Sequence, residues 1–268
     1  MNRPNSTEGM QGELTLVFGR KGGKTIISHQ YCEAPFKLTR LLEPIEVDFP
    51  KLILMSTTAG IFGGDTLKIN IEVEEGAKVW ITSQGATKIH PSQNRTASIE
   101  TYIKLQNGAS LIWTNEPIIP FEESKLRQVS EIDLSSESSL LYWEGLASGR
   151  ILSGESWTFQ DLSSSSSLKL DNELQYLDRF TLNPSQSDPG SDLQMGPNHY
   201  LVNFLAYNRN ISEPIVEECR RFMTKTKNQV AADLLSQFLI SGRILCQKGF
   251  QLKKALQNLL LFYSRQIV

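Results

Sequence analysis

Residues 73–82 read Val73-Glu-Glu-Gly-Ala-Lys-Val-Trp-Ile-Thr82, and they decide the fold because the chain repeats them. Leu105-Gln-Asn-Gly-Ala-Ser-Leu-Ile-Trp-Thr114 lies over them position for position. Leu134-Ser-Ser-Glu-Ser-Ser-Leu-Leu-Tyr-Trp143 is a more degenerate third copy. Each copy is a strand end, a polar turn, and then an apolar, aromatic strand. The copies return about every thirty residues, the spacing of stacked repeat coils. A unit this small cannot bury its own apolar face, whereas successive turns of chain stacked on one another can. The expectation is a mainly β protein built as a β-helix-like stack of strands rather than two Greek-key sheets. Plain hairpin redundancy in an ordinary sandwich is the competing reading, since Gly-Ala after a turn is common.

Outward from the repeat, the dominant period from residue 12 to about 182 is two. Leu67, Ile69, Ile71 and Val73 alternate with Lys68, Asn70 and Glu72, and Ile99, Thr101, Ile103 and Leu105 alternate likewise. Side chains on a strand alternate faces, so each run gives one apolar face and one wet face. Lys21-Gly-Gly-Lys24, Gly63-Gly-Asp65, Glu75-Gly76 and Asn107-Gly108 punctuate the runs as turns. Residues 12–182 are read as one β-stacked domain. The serine run 163–167 inside it is read as a loop between strands. Residues 183–198, with Pro184, Pro189, Gly190, Gly196 and Pro197, read as a connecting loop. Residues 199–268 read as a smaller C-terminal α/β portion packed on the first. It opens with a strand at 201–207. One helix carries Ile215, Val216, Cys219, Phe222 and Met223, with Ser212 as N-cap. A second carries Leu252, Leu256, Leu259, Leu260 and Tyr263. Residues 234–240 fit either a helix end or a strand.

The balance of 27 Lys plus Arg against 29 Asp plus Glu leaves no basic surface of the kind that holds nucleic acid. Three cysteines, Cys32, Cys219 and Cys246, stand far apart and in no CxxC pair, which reads as reduced thiols and a cytoplasmic protein. No apolar run is long enough to span a bilayer. The first ten or so residues, without an apolar signal core, are expected to fray.

The sequence holds no GxSxG, Walker loop, GxGxxG or HExxH. Gly60-Ile-Phe-Gly-Gly64 has glycines like those of a phosphate loop, but it lacks the Lys-Ser/Thr and precedes a strand, so the glycines read as a close backbone crossing. His29, His90 and His199 are isolated from one another and from the cysteines, so no four-ligand zinc set is present. What remains is a set of polar residues at strand boundaries: Asp65, Thr87-Lys88, Glu144, Glu155 and Asp178-Arg179. A carboxylate beside a Trp-rich strand must be solvated, paired or functional, because burying an unpaired charge is costly. Lys88, Arg150 and Arg179 are the candidates to pair with these acids.

These segments, in this order, resemble the urease accessory proteins of the UreD/UreH family. The resemblance is carried by Gly22-Gly-Lys-Thr25, Gly60-Ile-Phe-Gly-Gly-Asp65 with the strand 67–73, and Gly76-Ala77. It continues through residues 82–88, Trp113 with Asn115-Glu-Pro-Ile-Ile-Pro-Phe121, Trp143-Glu144, Gly149-Arg150 with Gly154-Glu155, and Asp178-Arg179. It implies a β stack with a smaller α/β part and favours a strand at 234–240. It also implies a non-enzymatic chaperone that binds apo-urease and the helical partner UreF, which recruits the GTPase UreG. A homodimer of the UreD–UreF–UreG complex is left open; neither a membrane nor nucleic acid is implied. No tightly bound cofactor is expected, only nickel in transit. Asp65, Thr87, Glu144 and Asp178 fall on or near the polar path that the family is thought to offer nickel, and Lys88, Arg150, Glu155 and Arg179 on polar pairs beside it. Where the family commonly has Tyr-Arg, this chain has His90-Pro91, which leaves His90 open as an added nickel ligand.

A metal carrier needs a closed set of His or Cys, whereas a conduit needs incomplete, exchangeable oxygen sites that let the ion leave. The absence of a chelating cluster in the sequence fits a conduit or a scaffold better than a reservoir. The competing class is a carbohydrate-binding β-solenoid, with Trp80, Trp113, Trp143 and Trp157 as its aromatics, or a glycosidase with Glu144 and Glu155 as a carboxylate pair.

Overall fold

The computed structural model describes residues 9–45, 47–91, 93–224 and 228–266, so most of the segment expected to fray lies outside the described residues. A hairpin of β1 (Gln11–Lys21) and β2 (Lys24–Cys32) is followed by β3 (Phe36–Leu38) and β4 (Lys51–Ser56). The chain then coils. One turn of the coil holds β5 (Thr66–Val73), β6 (Lys78–Ser83) and β7 (Lys88–Ile89); the next holds β8 (Ala97–Leu105), β9 (Ser110–Thr114) and β10 (Ile119–Pro120). A third holds β11 (Lys125–Leu134) and β12 (Ser139–Ala147), before the hairpin of β13 (Asp161–Leu170) and β14 (Glu173–Leu182). The chain ends with β15 (Tyr200–Tyr207), α1 (Glu213–Thr224), β16 (Gln229–Ser236), β17 (Leu239–Cys246) and α2 (Gly249–Gln266).

The strands form a seven-stranded sheet in the order β14-β13-β11-β8-β5-β1-β2, an eight-stranded sheet in the order β16-β17-β15-β12-β9-β6-β4-β3, and a two-stranded sheet of β10 and β7. Within the first, β5, β8, β11 and β13 are parallel; within the second, β4, β6, β9 and β12 are parallel. Parallel neighbours need a crossover, and each crossover here is a strand of the opposite sheet. This is a solenoid, not a Greek key. Its register is the alignment of the repeat: Val73 pairs with Leu105 and Leu105 with Leu134, while Val79 pairs with Leu111 and Leu111 with Leu140.

The turns stack for a local reason. Ala77, Ala109 and Ser138 each donate a backbone N–H to the carbonyl three residues back, at 3.0 Å in every case. Gly76 N–H then donates to Asn107 O in the next coil, and Gly108 N–H to Glu137 O. Gly76 and Gly108 share a φ of 66°, a left-handed conformation that glycine adopts without strain.

Residues 163–167 are not the loop expected from their composition but the middle of β13, paired with β11 from Lys125↔Asp161 to Leu134↔Leu170. Ser164 and Ser166 point inward and are buried, while Ser163, Ser165 and Ser167 point the other way. The strand hides in the sequence because its inward face meets polar groups, so no apolar alternation marks it.

The C-terminal part continues the eight-stranded sheet. β15 lies antiparallel to β12, with Trp143 opposite Phe204, and β17 and β16 follow. Residues 234–240 belong to these last two strands and the turn between them. Both helices cover the outer face of this sheet. Trp80, Ile112, Leu141 and Trp143 pack there with Val216, Cys219, Met223, Leu252, Leu259 and Tyr263. The buried indoles keep partners: Trp80 Nε1 donates to Thr114 Oγ1 at 2.6 Å and Trp143 Nε1 to Asn115 O at 2.9 Å. Trp113 is buried between the sheets. Three of the four tryptophans are thus core, and the wet aromatic platform of a carbohydrate-binding module is not formed.

Burial in the layer under the helices pushes the Cys219 and Cys246 thiols up to about 12 from an ordinary 9.0. In an unfolded chain these thiols ionise near the ordinary value, so the stability they hold is full below that pH and is lost as pH rises toward about 12. The thermal midpoint is expected to fall progressively above about pH 9. A Cys219→Ala/Cys246→Ala variant should show a shallower fall in the same scan; the same slope in both proteins would contradict the assignment.

Candidate functional site, a polar belt between the sheets

Three neighbouring strands of one sheet, and one strand of the facing sheet, break their inward apolar pattern at the same level. On β8 Thr101 stands between Ile99 and Ile103; on β11 Gln128 and Ser130 stand between Leu126 and Ile132. On β13 Ser164 and Ser166 stand between Leu162 and Leu168; on β12 Glu144 stands between Tyr142 and Leu146. The apolar residues on the two sides belong to separate core clusters. A polar layer therefore crosses the protein at right angles to the strands. In the seven-stranded sheet, register carries it from Thr101 to Ser130, Ser166 and Asp178. In the other, it runs from Glu144 to Asn203 and Arg243.

Glu144 is the centre of the belt. Its Oε1 accepts from Gln128 Nε2 at 2.7 Å and from the hydroxyls of Ser130 and Tyr142, and its Oε2 accepts from Ser166 Oγ at 2.7 Å. Among the described residues no cation pairs with it. Burial first, and the Glu144 carboxylate second, hold the Tyr142 phenol well above its usual range, so this donor stays neutral. All four of these donors are neutral, so they hold the carboxyl group in place and supply no counter-charge.

A cavity of about 460 Å³ leads to this carboxylate. Its walls include Ser83, Gln84, Thr87 and Lys88 on one side, and Thr101, Asn115, Gln128 and Glu144 deeper in. There is room for on the order of ten waters. Asn115 Oδ1, on the wall, is buried with no hydrogen-bond partner among the described residues. Past Glu144 lies a void of about 20 Å³, bounded by Gln128, Glu144, Ser164, Phe180 and Asn203, which is room for about one water. Asn203 Nδ2 then donates to Asp178 Oδ2 at 3.3 Å, and Arg243 Nη2 to Asp178 Oδ1 at 2.7 Å. Beside them the Tyr176 phenol is pushed up to about 12, by burial first and by the Asp178 carboxylate second.

Of the residues singled out in the sequence, Thr87 and Lys88 line the outer part of the cavity, Glu144 its inner end, and Asp178 the far end of the belt. Asp65 lies elsewhere. Its carboxylate accepts from the backbone N–H groups of Met10 and Phe62, both at 2.8 Å, and it is absent from the cavity walls. Asp65 locks a turn. Asp65→Ala leaves those two donors without their acceptor and is expected to destabilise the fold by about 2 kcal/mol in denaturant titration, whereas an unchanged midpoint would contradict the role.

His90 is not aimed at the belt. Its ring stacks on Phe62 at 4.4 Å, meets Phe121 edge-on at 4.8 Å, and its Nε2 sits 3.3 Å from Ala59 O. If Nε2 donates to that carbonyl, Nδ1 is the ring nitrogen that carries the lone pair. Among the described residues no three His, Cys, Asp or Glu side chains are grouped to hold a metal. Arg150 pairs with Glu155 and lies over Phe121, and Glu155 is absent from the walls of the cavity that Glu144 lines. Arg179 bonds Ser165 Oγ at 3.4 Å; the cation beside Asp178 is Arg243. Gly60 is the close crossing expected of it, since a Cβ there would run into the Lys88 carbonyl. Sequence reading missed Gln128, Ser130, Ser166, Asn203 and Arg243. Only the serine run carried a signal for any of them.

The fold and the belt together define a β-solenoid scaffold with an oxygen-lined interior. The chain belongs to the UreD urease accessory protein family, whose model matches residues 10–268. A urease accessory protein UreD from Halalkalibacterium halodurans is 32% identical over 177 residues, 65% of each chain. The UreH of Helicobacter pylori strain G27 is 30% identical over 198 residues, 74% of each chain. The UreD of Sporosarcina pasteurii is 27% identical over 259 residues, 94% of this chain and 100% of the other. The matched part of this chain thus spans about two thirds of the Halalkalibacterium protein and the whole of the Sporosarcina one. These relatives are named as accessories to urease, not as enzymes. Among the described residues, no helix is long and apolar enough to cross a membrane.

Proposed function

We propose that this chain is a nickel-delivery scaffold for urease. It binds apo-urease and UreF, and through UreF the GTPase UreG, and it passes nickel to the urease active site along the polar belt. The observation that carries this reading is Glu144, an interior carboxylate held by neutral donors at the end of a cavity of about 460 Å³. Oxygen donors suit a conduit. Nickel prefers imidazole and thiolate, so carboxylate, amide and hydroxyl sites hold it loosely and release it. Thr87 and Lys88 stand where the ion and its waters enter or leave; Thr101, Gln128 and the inward serines replace part of its hydration as the passage narrows. Nickel is cargo here, and no resident cofactor is needed. Three free thiols, Cys32, Cys219 and Cys246, support a cytoplasmic setting.

The test is to mature urease in nickel-replete cells with its other accessory proteins, with and without this chain, and to measure nickel per urease active site. Pull-down of apo-urease and UreF on this chain is measured in parallel. Loss of nickel without the chain, together with recovery of both partners on it, is expected. Equal nickel in both cultures would overturn the proposal.

A further inference from the structure

We propose that Asp178 and Asn203 form a second cation stop beyond Glu144, and that the Arg243 guanidinium fills it when no cation is there. The inference rests on the nickel-path reading of the belt and adds a regulator to it. Asp178 Oδ1 accepts from Arg243 Nη2 at 2.7 Å, and its Oδ2 accepts from Asn203 Nδ2 at 3.3 Å. Glu144, Asn203 and Arg243 are direct neighbours across β12, β15 and β17, while in the facing sheet Ser166, which donates to Glu144, is the direct neighbour of Asp178 across β13 and β14. The small void past Glu144 is bounded by Glu144 and by Asn203, whose amide donates to Asp178.

The amide of Asn203 supplies the second observation. Its Oδ1 is buried and has no hydrogen-bond partner among the described residues. A buried acceptor left empty is unfavourable, and it needs a reason. Half a turn about the Cβ–Cγ bond exchanges the two ends of an amide. With Arg243 on Asp178 the NH₂ end belongs on the carboxylate, as observed. With a divalent cation on Asp178 the NH₂ would be repelled, and the rotated amide would offer Oδ1 to the ion. Asp178, Asn203 and waters then make an oxygen site for a hard or borderline divalent cation.

Arg243 suits the role of competitor. A guanidinium is always charged and donates in a fixed fork, yet it binds no metal. Its side chain is 55% exposed while that of Asp178 is 18% exposed, so it reaches in from solvent and can swing back out. While it sits on Asp178 the stop is shut; an arriving cation displaces it; its return expels the cation. The stop stays weak, as a conduit requires.

Equilibrium dialysis of the purified full chain against nickel chloride tests this. Arg243→Gln is expected to bind nickel about tenfold more tightly at one site per chain. Arg243→Gln/Asp178→Asn should return to the parent isotherm, and Arg243→Gln/Asn203→Leu should lose most of the gain. An Arg243→Gln isotherm identical to the parent, or a tightened site that survives Asp178→Asn, would overturn the stop. If Arg243→Gln does not fold, Arg243→Lys is read in its place; it keeps the charge without the fork and should tighten binding by a smaller factor, and no tightening overturns the proposal. Failure here is separable from failure of the path. Normal urease nickel in a Glu144→Leu strain removes the path, whatever Arg243 does. Reduced urease nickel in that strain, beside an unchanged Arg243→Gln isotherm, keeps the path and removes the stop.

Discussion

Replacing Glu144 with leucine is expected to lower the nickel content of urease matured in the same cells by roughly tenfold or more. The change removes the charged group at the centre of the belt and leaves Gln128, Ser130, Tyr142 and Ser166 without their common acceptor. Those stranded donors also weaken the fold by about 1–3 kcal/mol each at most, so a second variant separates charge from stability. Glu144→Gln keeps the size and one carbonyl acceptor, loses the charge, and turns the other oxygen into an NH₂ from which a serine hydroxyl can accept. It should retain the partners in a pull-down and still load urease poorly. If Glu144 were merely a structural acceptor, Glu144→Gln would load urease normally. Elemental analysis of purified urease reads the difference directly.

The largest effect on stability is expected at Trp113. Trp113→Ala should cost about 3–5 kcal/mol, the usual range for an aromatic side chain deleted from a packed core. That is a fall of about 10 °C in thermal midpoint for a chain of this size. Trp113 is 2% exposed, and its ring stacks on Tyr142 with centroids 6.3 Å apart. It stands where β9 packs against the opposite sheet, at the junction of the apolar cluster and the belt. The cavity left behind cannot close without shifting Tyr142, whose hydroxyl donates to Glu144. Trp113→Phe, which keeps a stacked ring, should lose less than half as much. Unfolding at the parent midpoint by Trp113→Ala would mean that the inter-sheet core is not packed as described.

The solenoid was legible because its repeat is enforced residue by residue. A turn that bonds back three residues and stacks on the next coil needs a small side chain at its inner corner, and Ala77, Ala109 and Ser138 stand there. Glu144 was legible too, as an acid that follows an apolar strand. Its donors were not, since a glutamine or a serine on a strand looks the same whether it faces water or a buried carboxylate. The serine run misled for that reason. Asp65 misled for another: an acid after two glycines reads alike whether it lines a cavity or folds back on its own turn. What distinguishes the two is a backbone donor from Met10, 55 residues away. Of the candidate cations, Arg179 is ruled out as the partner of Asp178 by strand geometry alone, because neighbours on a strand point to opposite faces. The true partner, Arg243, comes from 65 residues further along, and only the sheet order brings it near.

The most direct measurement is anomalous diffraction at the nickel edge from crystals of this chain, held by apo-urease and its accessory partners and soaked in nickel. A conduit through the belt predicts a difference peak inside the protein, against Glu144 and the hydroxyls of Ser130 and Ser166. Peaks confined to outer faces, with the interior cavity empty of metal, would contradict it.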